Sequence, residues 1–134
     1  MNLSIVDPRF VDKAWKDGAS CLAEACATVD EITGDQLKMI LSRGERTLVA
    51  LMDNGKPVGW GCWRVDPLPN VRVLHVTDLV CHNSKFESFF GELKNVAEYL
   101  GCSEIRCSCG PAQARLYRMK LGMEPVYTTL RVKV

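Results

Sequence analysis

Residues 71–127 read VRVLHVTDLVCHNSKFESFFGELKNVAEYLGCSEIRCSCGPAQARLYRMKLGMEPVY. The segment opens with an apolar, β-branched run, Val71 to His82, of the kind that forms a buried strand. A polar loop, HNSKFES, follows. Phe86, Phe89, Phe90, Leu93, Val96, Ala97 and Leu100 then recur at three and four, which is helical spacing, and Gly101 ends the helix. A short strand over Glu104 to Ser108 comes next. Pro111 suits the first turn of another helix, which carries Ala114, Leu116, Tyr117 and Leu121 and stops at Gly122. The order strand, loop, helix, strand is that of an α/β unit. The junction of its first strand with its first helix is where such units hold phosphate-bearing ligands, because uncapped N–H groups and the helix dipole face outward there.

Upstream, NLSIV (2–6) reads as a first strand and Asp7-Pro8 as a turn or helix start. Phe10, Val11, Ala14, Trp15, Ala19, Leu22, Ala23 and Cys26 keep helical spacing, interrupted by Gly18. Thr33 and Gln36 stand in capping-box relation at the head of a second helix that carries Leu37, Ile40 and Leu41 and ends at Gly44. TLVALM (47–52) and PVGWGCWRV (57–65) flank Asp53-Asn54-Gly55-Lys56, a strong hairpin signal. Gly59 and Gly61 at period two strip one face of the return strand, so a ligand or a tightly crossing element approaches there. VYTTLRVKV (126–134) alternates strictly and is expected to be a last strand. The whole order is β-α-α-β-β-β-α-β-α-β, with no repeat or linker, and residues 1–134 are expected to form a single domain.

Composition narrows the function. The chain has 134 residues, 47% hydrophobic and 25% charged, with a net charge of +1. That balance fits a globular domain with its own core and gives no basic field for nucleic acid. No apolar run approaches the ~20 residues that span a bilayer, and the N-terminus lacks the pattern of a secretory leader. A cytoplasmic location is expected. The seven cysteines are expected to be reduced thiols packed as small hydrophobes. A zinc site would need close ligand pairs, and the chain has no C-x-x-C; Cys107-x-Cys109 shares one strand face, and His75 and His82 fall on opposite faces by parity. No metal is expected.

The closing stretch ARLYRMKLGMEPVYTTL, together with the element order, resembles the GNAT superfamily of acyl-CoA-dependent N-acyltransferases. Ala114, Leu116, Tyr117, Lys120, Leu121, Gly122 and Met123 fall where that family's closing helix carries its motif. The resemblance implies an α/β fold with a mixed sheet, splayed between the 71–82 and 104–108 strands, and helices on both faces. It implies acetyl-CoA as co-substrate in the split and an amine as acceptor. Tyr117 would then be the general acid. Asp78, a carboxylate in an apolar strand, is the first base candidate, with His82 and His75 as alternatives. The backbone of Leu79, Val80 and Cys81 would pair with the pantetheine arm, and Lys85 and Ser88 would face the pyrophosphate.

The loop departs from the family's glycine-rich pattern. Phe90 stands where a small residue lets the phosphate approach, Glu87 adds negative charge, and no glycine occurs before Gly91. Gly110-Pro111 replaces an asparagine common before the last helix. Glycine-poor loops of this kind resemble small GNAT-like proteins of tailed bacteriophages, some of them packaged in the virion. Two readings are therefore open: an active N-acetyltransferase, or a catalytically silent GNAT-fold binding or structural protein that contacts other phage structural proteins in the host cytoplasm or the virion.

Overall fold

The computed structural model describes residues 1–26, 30–82 and 84–134. Five strands form one sheet in sequential order: β1 (Asn2–Val6), β2 (Thr47–Asp53), β3 (Lys56–Pro67), β4 (Arg72–Cys81) and β5 (Glu104–Cys107). The first three pairings are antiparallel and the β4–β5 pairing is parallel. The connection between β4 and β5 is α4 (Phe86–Tyr99), as a parallel pair requires. Three short helices, α1 (Val11–Asp17), α2 (Leu22–Cys26) and α3 (Gly34–Ser42), lie between β1 and β2, and α5 (Pro111–Leu121) follows β5.

Two cores, one on each face of the sheet, account for the alternation in the strands. Leu48, Ala50, Trp60 and Cys62 pack with Val11, Leu22, Leu37 and Leu41 of the N-terminal helices. Val49, Leu51, Trp63, Leu74 and Val76 pack with Phe86, Phe89, Phe90 and Leu93 of α4. Each strand thus sends neighbouring residues to opposite cores.

Local signals explain the boundaries. Thr33 Oγ1 accepts from the Gln36 N–H at 3.2 Å, and Gln36 Oε1 accepts from the Thr33 N–H at 2.9 Å, so the expected capping box opens α3. Asn54 and Gly55 have φ of +52° and +76°, the left-handed pair that a two-residue hairpin needs. Gly18, at φ +136°, breaks the expected Phe10–Cys26 helix into α1 and α2, with a 3-10 turn over Ala19–Cys21 between them.

The expected approach to the β3 glycines is made by a helix. A Cβ on Gly61 would lie 2.9 Å from Phe89 Cζ, so the missing side chain is what lets α4 seat its ring on the sheet.

Two expectations need correction. Residues 126–134 join no sheet. All of 124–134 are exposed, and β5 is the sheet's edge. Alternation encodes a face but not a partner, and this segment leaves α5 through the left-handed Gly122 (φ +66°) without reaching the β5 edge. The last β of the expected order is therefore absent.

The second correction concerns β4. Strict parity, as used above for His75 and His82, puts His75 on the face opposite both Asp78 and His82. However, Cys62 pairs with Asp78 while Trp63 pairs with Val76, which leaves Thr77 as a bulge. Beyond it Leu79 and Cys81 join the α4 core with Leu74 and Val76, and Val80 joins the other core. The bulge shifts the register of faces by one and places His75 and Asp78 on the same side.

Candidate active site

The β4–β5 ladder covers only Val73–Val76 against Glu104–Cys107. β4 runs on to Cys81 while β5 turns away towards α5. Past Val76 the backbone polar groups on that side of β4 have no strand to pair with, so they face a gap in the sheet. An open cleft of about 1010 Å³ occupies it, lined among others by Arg46, Arg64, His75, Asp78, Leu79, Phe90, Ser108 and Tyr117. The splay that the resemblance implies between these two strands is present.

Tyr117 reaches the cleft from α5. Its ring lies against Phe86 and Phe90, with centroids 5.5 and 5.3 Å away. Burial, reinforced by the thiols of Cys107, Cys109 and Cys81, pushes its phenol up to about 12. The group is therefore a protonated donor at neutral pH, the state a general acid needs.

Phe90 is 5% exposed and belongs to the α4 core while also forming part of the cleft wall. With Phe86 it packs against Tyr117, so the two rings fill the contact between α4 and α5.

Asp78 is held in place by two partners. Its side chain is 7% exposed; Thr77 donates to Oδ2 at 2.9 Å, and Arg46 Nη1 lies 3.6 Å from the same oxygen. The bare carboxylate in an apolar strand is thus an ion-paired one. Arg46 comes from the turn between α3 and β2, 32 residues away in sequence, and no motif announces it.

His82 lies outside the cleft lining. It is exposed, and its Nδ1 accepts from the Ser84 N–H at 3.2 Å and lies 2.8 Å from Ser84 Oγ, which closes the turn before α4. Its neighbour Asn83, part of the expected phosphate loop, lies outside the described residues.

Leu79 lines the cleft, whereas Val80 packs into the N-terminal core and Cys81 into the α4 core. Lys85 is the N-cap residue of α4 and makes no side-chain cap; its Nζ sits 3.7 Å from Asp53 Oδ2. Ser88 is on the first turn of the same helix. The structure therefore brings Tyr117, Asp78 and Leu79 together and leaves His82 and Lys85 at the loop.

Sequence reading named His75 but missed its partners on the polar side of the cleft. His75 Nδ1 lies 3.7 Å from Asp66 Oδ2, and Arg64 donates from Nε to Asp66 Oδ1 at 2.9 Å. On its other side His75 Nε2 is 3.4 Å from Ser108 Oγ. Burial first, and the Arg64 charge second, push the His75 imidazole below its ordinary value of 6.5, so it is neutral at pH 7. Among the described residues no group of three or more His, Cys, Asp or Glu side chains is arranged to hold a metal ion, and no helix is long and apolar enough to cross a membrane.

No protein-family model matches the chain, and no curated protein matches its sequence. Solved structures do match. A probable acetyltransferase superposes with a TM-score of 0.72 at 11% identity, over 100% of this chain and 98% of its own. The ribosomal-protein-alanine N-acetyltransferase of Brucella melitensis biovar Abortus 2308 gives 0.71 at 13% identity, covering 100% of both chains. A possible acetyltransferase from Clostridium difficile 630 gives 0.71 at 14% identity, over 99% of this chain and 97% of that one. At such identities the likeness establishes the fold. The chain has the GNAT-like fold that its closing helix and element order resemble, with the sheet ending at β5.

Proposed function

We propose that the chain is an N-acetyltransferase that uses acetyl-CoA and acts on an amine bound in the cleft. The observation that carries this reading is the unpaired stretch of β4 beyond Val76, facing a cleft that also holds the protonated Tyr117. The likeness to solved acetyltransferases supports it.

The residues fit the co-substrate in chemical type. Within Leu79, Val80 and Cys81, the backbone groups that point away from β3 suit the amides of a pantetheine arm. α4 offers first-turn N–H groups with no side-chain cap, beside Lys85 and Ser88, to the phosphates. Acetyl-CoA, when bound, supplies the acetyl group as an activated thioester. The chain's own part is to hold the amine against that arm, to remove a proton from it, and to return one to the leaving thiolate. Tyr117 carries the proton for that last step. Of the base candidates, Asp78 and His75 line the cleft and His82 does not; a carboxylate also offers a cationic amine an opposite charge, so we assign the binding and deprotonation of the amine to Asp78, steadied by Arg46 and Thr77. A cationic amine entering beside Asp78 displaces the 3.6 Å Arg46 contact and leaves the carboxylate hydrogen-bonded to Thr77. In this reading residues 1–134 are one catalytic unit acting in the cytoplasm. The names of these three neighbours speak of acetyl transfer and not of a virion.

Isothermal titration with acetyl-CoA tests the binding step. Saturable binding is expected, weakened by Lys85→Ala. Acetyl transfer to a panel of amines, followed by thiol release, tests the chemistry, and Tyr117→Phe should slow it by about 100-fold or more. Absence of binding at millimolar acetyl-CoA would remove the proposal and favour the catalytically silent reading.

A further inference from the structure

From the geometry of the β4–β5 gap we infer that Ser108, His75 and Asp66 form a nucleophilic relay that hydrolyses small acyl esters through an acyl-serine. The inference does not depend on acetyl-CoA binding, because its reacting groups sit on the polar side of the cleft, away from the α4 loop.

Three features carry it. The first is connectivity. His75 Nε2 faces Ser108 Oγ at 3.4 Å, and His75 Nδ1 faces Asp66 Oδ2 at 3.7 Å. A serine on one ring nitrogen and a carboxylate on the other is the arrangement in which imidazole takes the hydroxyl proton while the carboxylate fixes its tautomer. These separations are looser than finished hydrogen bonds, as relay contacts often are before substrate binds. Arg64 holds Asp66 by Oδ1 at 2.9 Å, which leaves Oδ2 towards the ring.

The second feature is placement. Ser108 is exposed and lines the cleft, immediately after β5 and two residues before Gly110, the N-cap of α5. A nucleophile on a strand-to-helix turn meets substrate from the open side. α5 begins with Pro111 and has no side-chain cap, so the N–H groups of Ala112 and Gln113 are not spent on one. They suit an oxyanion formed beside Ser108.

The third feature is state. His75 is the only partner of Ser108 Oγ given by the side-chain contacts among the described residues, and its side chain is 16% exposed. The cations Arg64, Arg46 and Arg106 and the carboxylate of Asp66 face it. Burial first, and then the cations, keep the ring in its basic, neutral form, and Asp66 steadies the imidazolium as it forms.

The step balances with water as the only co-reactant. Ser108 Oγ attacks the ester carbonyl and its proton passes to His75 Nε2. The carbonyl–oxygen bond to the alcohol breaks, and the alkoxide takes that proton. Water then attacks the acyl-serine, giving its proton to His75, and the serine oxygen leaves with it. The products are a carboxylic acid and the free serine.

The test uses the full chain, 4-nitrophenyl acetate and a fluorophosphonate probe that labels activated serines and spares thiols. The probe matters because Cys107 and Cys109 flank the serine and Cys109 is exposed. We expect an initial burst of nitrophenolate, and probe attached to Ser108 by peptide mass spectrometry. Ser108→Ala should abolish both. His75→Gln should slow both by about 100-fold or more. Asp66 is a positioning residue, and Asp66→Asn should move the acid limb of the pH–rate profile as well as lower the rate. Absence of probe labelling would overturn the inference, as would labelling that survives His75→Gln unchanged or a burst that survives Ser108→Ala. Because no assay contains CoA, failure here leaves the acetyltransferase proposal standing, and the reverse also holds.

Discussion

The contact between Gly61 and Phe89 sets the distance from the sheet to α4, and with it the position of the loop before α4. Adding one methyl at Gly61 would put a carbon 2.9 Å from Phe89 Cζ, 3.1 Å from Cε2 and 3.3 Å from the Asp78 carbonyl oxygen. Relaxed carbon–carbon contacts lie near 3.5–4.0 Å, so the ring would have to retreat by roughly 0.5–1 Å. It has little room to do so, being 0% exposed and packed edge-on against Phe90 at a centroid distance of 5.6 Å. Overpacking of this kind costs about 1–3 kcal/mol, so Gly61→Ala should be destabilised by that amount. Phe89→Leu alone should cost roughly 1–2 kcal/mol, less than the ~3–5 of a full truncation to alanine. The double variant is the informative one. Leucine removes the ring tip that the new methyl strikes, so the pair should be more stable than the sum of the singles by about 1–2 kcal/mol. Urea unfolding followed by the fluorescence of Trp60 and Trp63, both in the cores, reads all four proteins. Additivity within ~0.5 kcal/mol would refute the reasoning, because the cost of the methyl would then arise from strand backbone rather than from the ring.

Four further outcomes are expected. Arg46→Ala strips one of two partners from a carboxylate that is 7% exposed. It should destabilise the fold by about 1–3 kcal/mol by urea unfolding, and Arg46→Lys should recover part of the loss. Stability should fall as pH drops below about 6.5, because an unfolded His75 takes up a proton there that the buried ring refuses. His75→Gln should flatten that limb of a pH–stability curve. Tyr117 gives the opposite sign at the alkaline end: its contribution is whole below pH 10 and is lost as pH rises towards its raised value of about 12, and Tyr117→Phe removes this dependence. Deleting residues 128–134, all exposed and in no strand, should leave the unfolding free energy from urea titration within the ~0.5 kcal/mol typical of surface changes, and a larger loss would show that the tail does pair.

What the sequence made legible follows from how each feature is encoded. The α4 stripe, the Thr33 capping box and the Asn54-Gly55 turn are local patterns whose physics is complete within a few residues, and the structure has each of them. The splay between β4 and β5 was reached through the resemblance carried by the closing helix, since nothing local in either strand specifies where a ladder ends. The tail shows the converse case. Its alternation is as regular as that of any strand in the sheet, yet strand formation also needs an edge within reach, and that depends on where α5 leaves the chain.

The cleft shows the limit most clearly, because its chemistry rests on one unpaired residue. Without the Thr77 bulge, period-two alternation would turn Asp78 into the α4 core and away from His75. With it, Asp78 turns to Arg46 while His75 keeps Asp66 and Ser108, so that two carboxylates, a neutral imidazole and a hydroxyl share one side of the gap. Thr77 is suited to the position: its hydroxyl reaches the Cys62 carbonyl at 3.4 Å and Asp78 Oδ2 at 2.9 Å, tying the bulge to both the strand beside it and the carboxylate it redirects. Neither a threonine in a strand nor an arginine before one carries any sign of this in sequence. The partners come from β3, from the turn after β5 and from the turn after α3, and only the register of a five-stranded sheet brings them together. A polar site assembled across strands in this way has no motif of its own, which is why the closing helix pointed to the fold and Asp78 and His75 could be named from the sequence, while their partners Arg46, Asp66 and Ser108 came from the structure.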